Sequence, residues 1–508
     1  MKYDDGFEFV PTQREVVAGH HFTSIAGAAP IVGPVVAAIW GWLPGLLWVV
    51  LGTIFLGAVH DFGALVVSLR HDGRGIADYL KDLLGKWAMQ LMYVVVFFLL
   101  VLVSAVFVDV IATLAARFPA AVYSVWVEIP LAVIIGLLIR RRWKFNLFLA
   151  SIIAVAIMYL MIWVGTLYPL TFTKQTWIYI LLAYMVVAAR LPVWLLVQPR
   201  DIINGIQLII ALVICTVGVL ALALSGGGQI VAPAVRLAPA GAPPIWPFLM
   251  VTVACGAISG WHSIVGSGTT PKQITSEKDA KFVGYGSMLA EGYLGVIALL
   301  TAVVGLGAAG YESFYAAWGK AAWPAIWAEG GANLLLPMGI PAVLGAAFLA
   351  VVAKSFAMTT LDSAMRFTRI AFAESVTTFR LPAVLHDKTV SLVPGFAIIV
   401  WLALSGYGMR LWPLFGATNQ ILAGLALLAA SVFLVSLRRP FIHYLIPFAI
   451  MIVSSMTALA WSVIYQYLPA RNWLLVAIGA IVFLCGLGVV IIAIQTWQAK
   501  QTRVSTGA

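Results

Sequence analysis

The chain has 508 residues, of which 63% are hydrophobic and 10% are charged, and its mean hydropathy is +1.03. This composition lies far outside the range of soluble domains, so the net charge of +11 does not indicate a nucleic-acid partner. The three cysteines lie inside apolar segments without the spacing of metal ligands, and we predict neither a disulfide nor a metal site.

Fourteen apolar stretches follow one another along the chain. Most of them reach the ~20 residues that an α-helix needs to cross the hydrocarbon core of a bilayer. They cover residues 22–39, 43–67, 87–115, 122–139, 145–169, 176–198, 202–225, 245–266, 282–308, 337–362, 389–406, 412–437, 441–467 and 472–497. The sequence therefore predicts an all-α polytopic membrane protein with about 14 transmembrane helices.

Basic residues alternate between the gaps that separate these stretches. Of the thirty Lys and Arg residues, six fall in odd-numbered gaps and two inside stretches, whereas twenty-two fall in even-numbered gaps and at the chain ends. Basic loops remain in the cytoplasm during membrane insertion. We therefore expect an inner-membrane protein with both termini cytoplasmic. The cytoplasmic loops are predicted at residues 70–86, 140–144, 272–281 and 438–440.

Glycine and proline interrupt the apolar pattern at Gly19–Pro34, Ala188–Asp201 and Ile258–Lys272. Backbone polar groups inside lipid must be satisfied, so an interruption at membrane depth is stable only where it borders a protected cavity. Transporters use such interruptions to present helix ends to substrates and ions. The alternative is that these residues only permit close helix packing and kinks.

The first two interruptions fall in the first and sixth stretches. Because these stretches are five apart, they cross the membrane in opposite directions, as in an inverted repeat with the substrate site between its halves. The pattern predicts a 5+5 inverted repeat with broken first and sixth helices, formed by residues 1–170 and 176–373, with additional C-terminal helices in 389–497. The expected substrate-binding residues at the interruptions are Gly27, Ala28, Pro30 and Pro192.

Ionisable side chains at membrane depth cost several kcal/mol and normally face a cavity or a partner. The set predicted at this depth is Asp61, Asp109, Arg190, His262, Glu291, Lys354 and Asp362. Arg190 either neutralises Asp109 or offers its planar guanidinium group to a substrate carboxylate. Asp109 is also a candidate for ion coupling. Two groups are assigned to structural charge pairs: Asp61, and Asp362 with Arg366 one helical turn away.

His262 precedes small polar residues, including Ser267, Thr269 and Thr270, that suit a cation or a carboxylate. Histidine titrates near neutral pH, so His262 is predicted to bind substrate or carry a proton; the alternative is a packed side chain that donates to a backbone carbonyl. Glu291 is the first candidate for ion coupling, because burial favours the protonated form of a carboxyl group. Its alternative is a permanent pair with Lys or Arg.

Signatures of enzymes are absent from the sequence, which has no Walker loop, nucleophile elbow or HExxH motif. His20 and His21 have no partners at metal-ligand spacing. Without a nucleotide-binding loop, solute movement by this chain alone has to be coupled to an ion gradient. We therefore predict neither enzymatic activity nor a cofactor.

Several motifs resemble those of the carbon starvation protein A family of bacterial membrane proteins. They are YDDGFEFVPT at 3–12, GHHFTSIAGAAPIVGP at 19–34, GWLPGLLWVVLGTIFLGAVHDF at 41–62, LPVWLLVQPRD at 191–201, ACGAISGWHSIVGSGTTPK at 254–272, FVGYGSMLAEGYLG at 282–295, TTLDSAMR at 359–366 and LWPLFGATNQILAG at 411–424. Family members usually carry further helices before the first motif, and some have apolar residues at the positions of Arg190 and Asp109.

The resemblance implies an importer of small carbon sources. Family members are associated with pyruvate uptake together with protons and with peptide uptake during carbon starvation. The family is grouped with the amino acid–polyamine–organocation superfamily, whose core is a five-plus-five inverted repeat with broken first and sixth helices.

The sequence thus predicts a secondary transporter that imports pyruvate or a similar small carboxylate by symport with a cation, expected to be H⁺. A peptide transporter is the alternative within this class, because Arg190 together with Glu291 or Asp109 offers both charges that a zwitterion needs. A membrane sensor or a channel without coupled transport is the alternative from another class. The expected partners are the substrate, the coupling cation and the lipid bilayer.

Overall fold

The computed structural model describes residues 9, 11–140, 146–192, 194–319, 323–387 and 389–506. Within these ranges the chain is helical, and pairing of extended backbone is limited to one isolated bridge between Thr12 and Ile274. The predicted all-α class is confirmed for this part of the chain. Residues 141–144 of the predicted loop at 140–144 lie outside the described residues.

The helices follow one another in the order of the predicted stretches. The first ten are α1 (Arg14–Ile25), α2 (Ala29–Ala37), α3 (Trp42–Gly52), α4 (Ala58–Leu69), α5 (Ile76–Leu84), α6 (Lys86–Arg117), α7 (Val122–Arg140), α8 (Leu147–Leu167), α9 (Lys174–Arg190) and α10 (Val197–Leu224). The next ten are α11 (Ile245–Thr252), α12 (Gly260–Gly268), α13 (Ser287–Leu300), α14 (Gly307–Phe314), α15 (Trp323–Leu335), α16 (Ala342–Phe379), α17 (Val393–Leu404), α18 (Trp412–Ser436), α19 (Ile442–Ser462) and α20 (Trp473–Thr506).

Ten continuous helical segments in the described ranges are long and apolar enough to cross a membrane, and the bent pair α1–α2 makes eleven. Each of the fourteen predicted stretches coincides with helix. Three of them hold α9, the interrupted pair α11–α12 and α17, which fall short of a full-length continuous span. The structure thus gives ten or eleven full-length spans where the sequence predicts fourteen.

The first broken span consists of α1 and α2, which are bent by 52° at residues 26–28. Pro30 lies in the first turn of α2, where its missing N–H group is not needed by the helix. A Cβ atom on Gly27 would lie 2.8 Å from Oγ1 of Thr360 and 3.1 Å from the ring of Phe107. The predicted interruption within residues 19–34 is therefore confirmed, and it packs closely against α16 and α6.

The interruption predicted in the sixth stretch is wrong as a break within one helix. α9 ends at Arg190 and α10 begins at Val197, so Pro192 lies in the connection between two separate helices. Pro199 lies in the first turn of α10, where proline is tolerated. The sequence pattern placed the start of α10 at residue 202, and this shift of five residues made a helix connection resemble a broken helix.

The second broken span is the pair α11–α12. Its unwound residues, 253–259, overlap the third predicted interruption, Ile258–Lys272, only at positions 258 and 259, and the predicted position is wrong for residues 260–268, which form α12. The unwound residues 253–259 are all buried. Backbone groups at this depth need partners, and α18 provides three of them. Trp412 Nε1 donates to the carbonyl of Thr252 (3.0 Å), Gln420 Nε2 donates to the carbonyl of Met250 (2.6 Å), and Asn419 Oδ1 accepts from the N–H of Trp261 (2.8 Å).

The two broken spans lie side by side in opposite directions. The first half of one contacts the second half of the other, since α1 touches α12 and α2 touches α11. Trp261 Nε1, at the start of α12, donates to the carbonyl of Ser24 near the end of α1 (2.9 Å). A Cβ atom on Gly256 would lie 3.5 Å from Cα of Pro30. The two unwound segments are therefore adjacent inside the bundle.

The region of the predicted additional C-terminal helices, 389–497, contributes one helix to the core. Its helix α18 contacts α4, α6 and α12, and 83% of the residues in the most apolar part of this span are buried inside the protein. α18 thus belongs to the core that supports the second broken span, whereas α19 and α20 pack on its outer side.

Candidate functional site

A group of buried ionisable side chains surrounds His262, near the start of α12. Its Nδ1 lies 2.9 Å from Oδ2 of Asp61 on α4, and its Nε2 lies 3.2 Å from Oε2 of Glu291 on α13. The three side chains are at most 1% exposed. The imidazole therefore lies between two carboxylates that two different helices contribute. We call Asp61, His262 and Glu291 the histidine cluster.

The two carboxylates of the histidine cluster differ in their hydrogen bonding. Asp61 is bonded through both oxygens, since Nδ1 of His60 lies 2.7 Å from Oδ1. Glu291 lies at ion-pair distance from His262, but the contact is poorly aligned, and neither Glu291 oxygen has a hydrogen-bond partner among the described residues. Glu291 is thus the less constrained of the two carboxylates.

The charges of the histidine cluster do not cancel when all three groups are ionised. Without counting His60, which contacts Asp61, two carboxylates and one imidazolium give a net charge of −1, and one additional proton makes these three groups neutral. An unbalanced charge at membrane depth costs several kcal/mol. A proton gained or lost here would change the charge of the whole cluster, and it would belong to the coupled group rather than to one residue.

The polar residues after His262 bond within the protein. The Oγ atom of Ser267 accepts from the backbone N–H of Ile76 (2.9 Å), and the Thr270 hydroxyl is bonded to Nδ1 of His21 (2.8 Å). Thr269 is half-buried and donates back to its own helix. These bonds hold the end of α12 against α1 and α5. A direct role of these residues in substrate binding stays a prediction.

A second buried charge cluster is centred on Arg200, and of its members only Asp362 belongs to the predicted site. Its guanidinium donates from Nε to Oε1 of Glu128 (2.7 Å) and from Nη1 to Oδ2 of Asp362 (2.7 Å) and the Tyr184 hydroxyl (3.0 Å). Ser355 Oγ donates to the other oxygen of Glu128 (2.9 Å). The cluster joins α7, α9, α10 and α16. Its sequence signal is Glu128, a carboxylate inside the apolar stretch 122–139.

The predicted pair of Asp362 and Arg366 is wrong. Asp362 forms its ion pair with Arg200, and Arg366 donates to the carbonyl of Leu191. Residues one turn apart on a helix can meet, but a buried guanidinium on a neighbouring helix provides a less exposed partner. Asp362 therefore connects α16 to α10.

The predicted pair of Arg190 and Asp109 is also wrong. Asp109 pairs with Lys174, whose Nζ lies 2.6 Å from Oδ1. Lys174 is the first and Arg190 the last of the 17 residues of α9. A helix of this length spans about 25 Å, so the two residues lie at opposite ends. Arg190 is exposed, and so is Pro192.

The other predicted substrate-binding residues, Gly27, Ala28 and Pro30, are buried at the first break. Pro30 lies beside Gly256 of the second unwound segment, whereas Arg190 and Pro192 are exposed. Lys354 on α16 is 2% exposed, and its Nζ has no hydrogen-bond partner among the described residues. In the same residues, no group of three or more His, Cys, Asp or Glu side chains is arranged to hold a metal ion.

Comparison with known sequences identifies one matching family and several related proteins that are named as transporters. A sequence model of the family described as carbon starvation protein CstA matches residues 1–322 and 308–458. The peptide transporter CstA of Escherichia coli (strain K12) is 31% identical over 90% of this chain and 75% of its own length. The peptide transporter CstA of Bacillus subtilis (strain 168) is 30% identical over 97% and 90%. The pyruvate/proton symporter BtsT of Escherichia coli (strain K12) is 30% identical over 86% and 72%.

Among solved structures, a manganese transporter of Eremococcus coleocola, in complex with an aromatic bis-isothiourea substituted compound, superimposes with a TM-score of 0.51. The alignment covers 98% of this chain and 99% of the other at 12% sequence identity, so the likeness concerns the fold alone. Ten apolar spans and relatives named as transporters identify a multi-pass membrane protein. The matches over most of its length show that the chain belongs to the carbon starvation protein CstA family.

Proposed function

We propose that this chain imports a small organic carboxylate by symport with protons, with pyruvate as the first candidate substrate. The observation that carries the proposal is the position of His262 between Asp61 and Glu291 at the start of the second half of a broken span. An exchangeable proton held beside the second unwound segment would link protonation to movement of the span.

The broken spans support the transport half of the proposal. Unwound backbone at membrane depth is stable only where it is buried in protein or borders a cavity. The two interruptions are adjacent and their spans run antiparallel, which is the arrangement of an inverted repeat with a central substrate site. We infer that the second repeat begins with the broken span at α11, not at residue 176.

The relatives support proton-coupled transport of a small molecule but do not identify its substrate. One of them is named a pyruvate/proton symporter. Others are named peptide transporters, so a short peptide is the second candidate. One feature favours the peptide. The carboxylate of Asp201, buried beside α1, has one oxygen without a partner among the described residues. A carboxylate can bind the charged amino group of a peptide.

The distribution of Lys and Arg supports an orientation with both termini in the cytoplasm of a cell with an inner membrane. In the structure Arg70 pairs with Glu277 (2.5 Å), so two of the predicted cytoplasmic loops meet at one face. Import in this orientation follows the proton gradient from the outside to the cytoplasm.

The proposal is tested by uptake into proteoliposomes. Labelled pyruvate and labelled Ala-Ala are supplied outside while a proton gradient, a sodium gradient or no gradient is imposed. We expect accumulation only when the outside is more acidic. Accumulation driven by sodium alone would assign the coupling to another ion, and equilibration without accumulation under either gradient would identify a channel.

A further inference from the structure

One face of α10, separate from the histidine cluster, carries buried polar side chains with unused hydrogen-bonding atoms. Asp201, Asn204 and Gln207 are spaced three residues apart and are at most 2% exposed. Among the described residues, four of their atoms have no partner: Oδ1 of Asp201, Oδ1 of Asn204, and both Oε1 and Nε2 of Gln207. Unpartnered buried polar atoms are rare in proteins and call for an explanation.

These side chains lie between α10, α1 and α16. Nδ1 of His20 on α1 is 3.1 Å from the second oxygen of Asp201, and Nδ2 of Asn204 is 2.6 Å from Oγ1 of Thr359 on α16. The next residue on α16, Thr360, lies against Gly27 at the first break. The polar face of α10 therefore adjoins the unwound segment of the first broken span.

The orientation of Asn204 follows from its partner. The Thr359 hydroxyl donates to the carbonyl of Ser355, so its oxygen is available only as an acceptor. The amide nitrogen of Asn204 must face Thr359, and its carbonyl oxygen then points away from it. Both free atoms of Asp201 and Asn204 are thus hydrogen-bond acceptors.

The charge of Asp201 is not cancelled by its neighbour in sequence. Arg200 is bonded to two carboxylates, Glu128 and Asp362, so its single positive charge is already compensated. His20 contacts one carboxylate oxygen of Asp201 and leaves the other free. A ligand at this face would meet a free carboxylate oxygen of Asp201 and the free amide oxygen of Asn204. Both residues are more than nine-tenths buried, and the Gln207 amide lies about one helical turn further along.

We propose that Asp201, Asn204 and Gln207 form a binding site for a primary ammonium group. An ammonium is a compact cation with three donors and no acceptor, and a charge-assisted hydrogen bond to a buried carboxylate is among the stronger hydrogen bonds in proteins. The site selects substrates that carry a free amine beside their carboxylate. This inference rests on the proposed transport function and, within it, favours the second candidate substrate, a short peptide, over pyruvate, which has no amine.

The test uses the full-length protein purified in detergent and two probes, Ala-Ala and N-acetyl-Ala-Ala, which share a carboxylate but differ in the free amine. Binding is measured by calorimetry and by the shift in melting temperature, in choline buffer and again in sodium buffer. We expect Ala-Ala to bind and N-acetyl-Ala-Ala to bind at least about tenfold more weakly, because the acetyl group removes the charged donor.

Asp201→Asn removes the charge and should abolish the difference between the two probes. Asp82→Asn, the same change at an exposed carboxylate that pairs with Arg74, is the matched control and should keep the difference. The melting temperature without ligand checks that both variants fold, and Asp201→Glu provides a second variant that retains the charge if Asp201→Asn is unstable.

Equal binding of both probes by the unmodified protein, or an unchanged preference in Asp201→Asn, would overturn the ammonium site. So would a melting-temperature shift produced by sodium chloride alone that Asp201→Asn eliminates, because the site would then hold a metal cation. These results leave the transport proposal standing. Failure to accumulate either labelled substrate would instead refute transport, since binding in detergent needs no gradient.

Discussion

Arg200 and Arg190 are ten residues apart, yet their surroundings are opposite. Arg200 is fully buried and bonded to Glu128 and Asp362, whereas Arg190 is exposed at the end of α9. Removing one partner of a buried ion pair leaves charges without compensation, which costs about 3–5 kcal/mol. An exposed side chain outside such a network changes stability by about 0.5 kcal/mol or less.

We therefore expect Arg200→Met to lower the melting temperature of the detergent-purified protein strongly and Arg190→Met to leave it nearly unchanged. Adding Glu128→Gln to Arg200→Met should restore part of the loss, because one unpaired carboxylate is removed. A similar effect of the two single substitutions would contradict the placement of Arg200 at the centre of a buried cluster.

Gly27 tests the close packing at the first break. A Cβ atom there would lie within 3.1 Å of Thr360 and Phe107, whereas a Cβ atom on Gly19, on α1 of the same broken span, would meet nothing within 4 Å. Overpacking a buried site costs about 1–3 kcal/mol. Gly27→Ala should reduce the initial rate of substrate uptake, and Gly19→Ala should not.

Because Oγ1 of Thr360 is the nearest atom to that new methyl group, Thr360→Ala should partly rescue Gly27→Ala. Uptake by Gly27→Ala at the normal rate would show that the first break tolerates a side chain and is not a tightly fitted joint.

At the scale of elements, α18 determines the shape of the second broken span. Asn419 Oδ1 accepts from the first turn of α12, and its Nδ2 donates to Ser259 Oγ (3.0 Å). Losing these bonds leaves buried polar groups without partners, at a cost of about 1–3 kcal/mol. Asn419→Ala should therefore loosen the unwound segment next to Cys255.

The readout is the rate at which Cys255 reacts with a thiol reagent in a background where Cys215 and Cys485 are replaced by Ser. Cys255 is buried beside Asn419, so we expect slow labelling that Asn419→Ala accelerates. Ser431→Ala, which removes a buried hydroxyl from the same helix, is the control. Equal labelling rates in both variants would contradict the role of Asn419 in holding the break.

The helices and their interruptions show which structural features could be predicted from the sequence alone. Apolar length located a helix in each stretch, and the density of Gly and Pro located the break at Gly27. The same signal failed at Pro192, because proline occurs in the connection between two helices as readily as at a kink within one helix. The partners of Arg200 were out of reach, since they depend on where α10 begins and which helices meet. Glu128 could have been identified from the sequence, because it is a carboxylate inside an apolar stretch.

At the scale of the whole molecule, the alternation of basic loops predicts which faces are cytoplasmic. Lys278 and Ala238 are both exposed, and they lie in loops predicted on opposite sides. Single cysteines at these positions, in a background without the native cysteines, should be labelled by an impermeant reagent from opposite sides of the membrane. Labelling from the same side would contradict the predicted topology.

Proton coupling is the central claim, and Glu291→Gln isolates it. Glutamine mimics the protonated carboxyl group and cannot release a proton. Exchange of labelled for unlabelled substrate does not require release, so the variant should retain exchange and lose accumulation. Glu312→Gln, the same change at an exposed carboxylate on α14, should retain both.

The most direct measurement follows the pH inside proteoliposomes with a trapped dye while substrate is added outside without an imposed gradient. We predict that the interior acidifies with the same time course as substrate entry, both for the unmodified protein and for Glu312→Gln. Liposomes with Glu291→Gln should acidify no faster than protein-free liposomes. Substrate entry through the unmodified protein without acidification beyond that of protein-free liposomes would contradict proton symport.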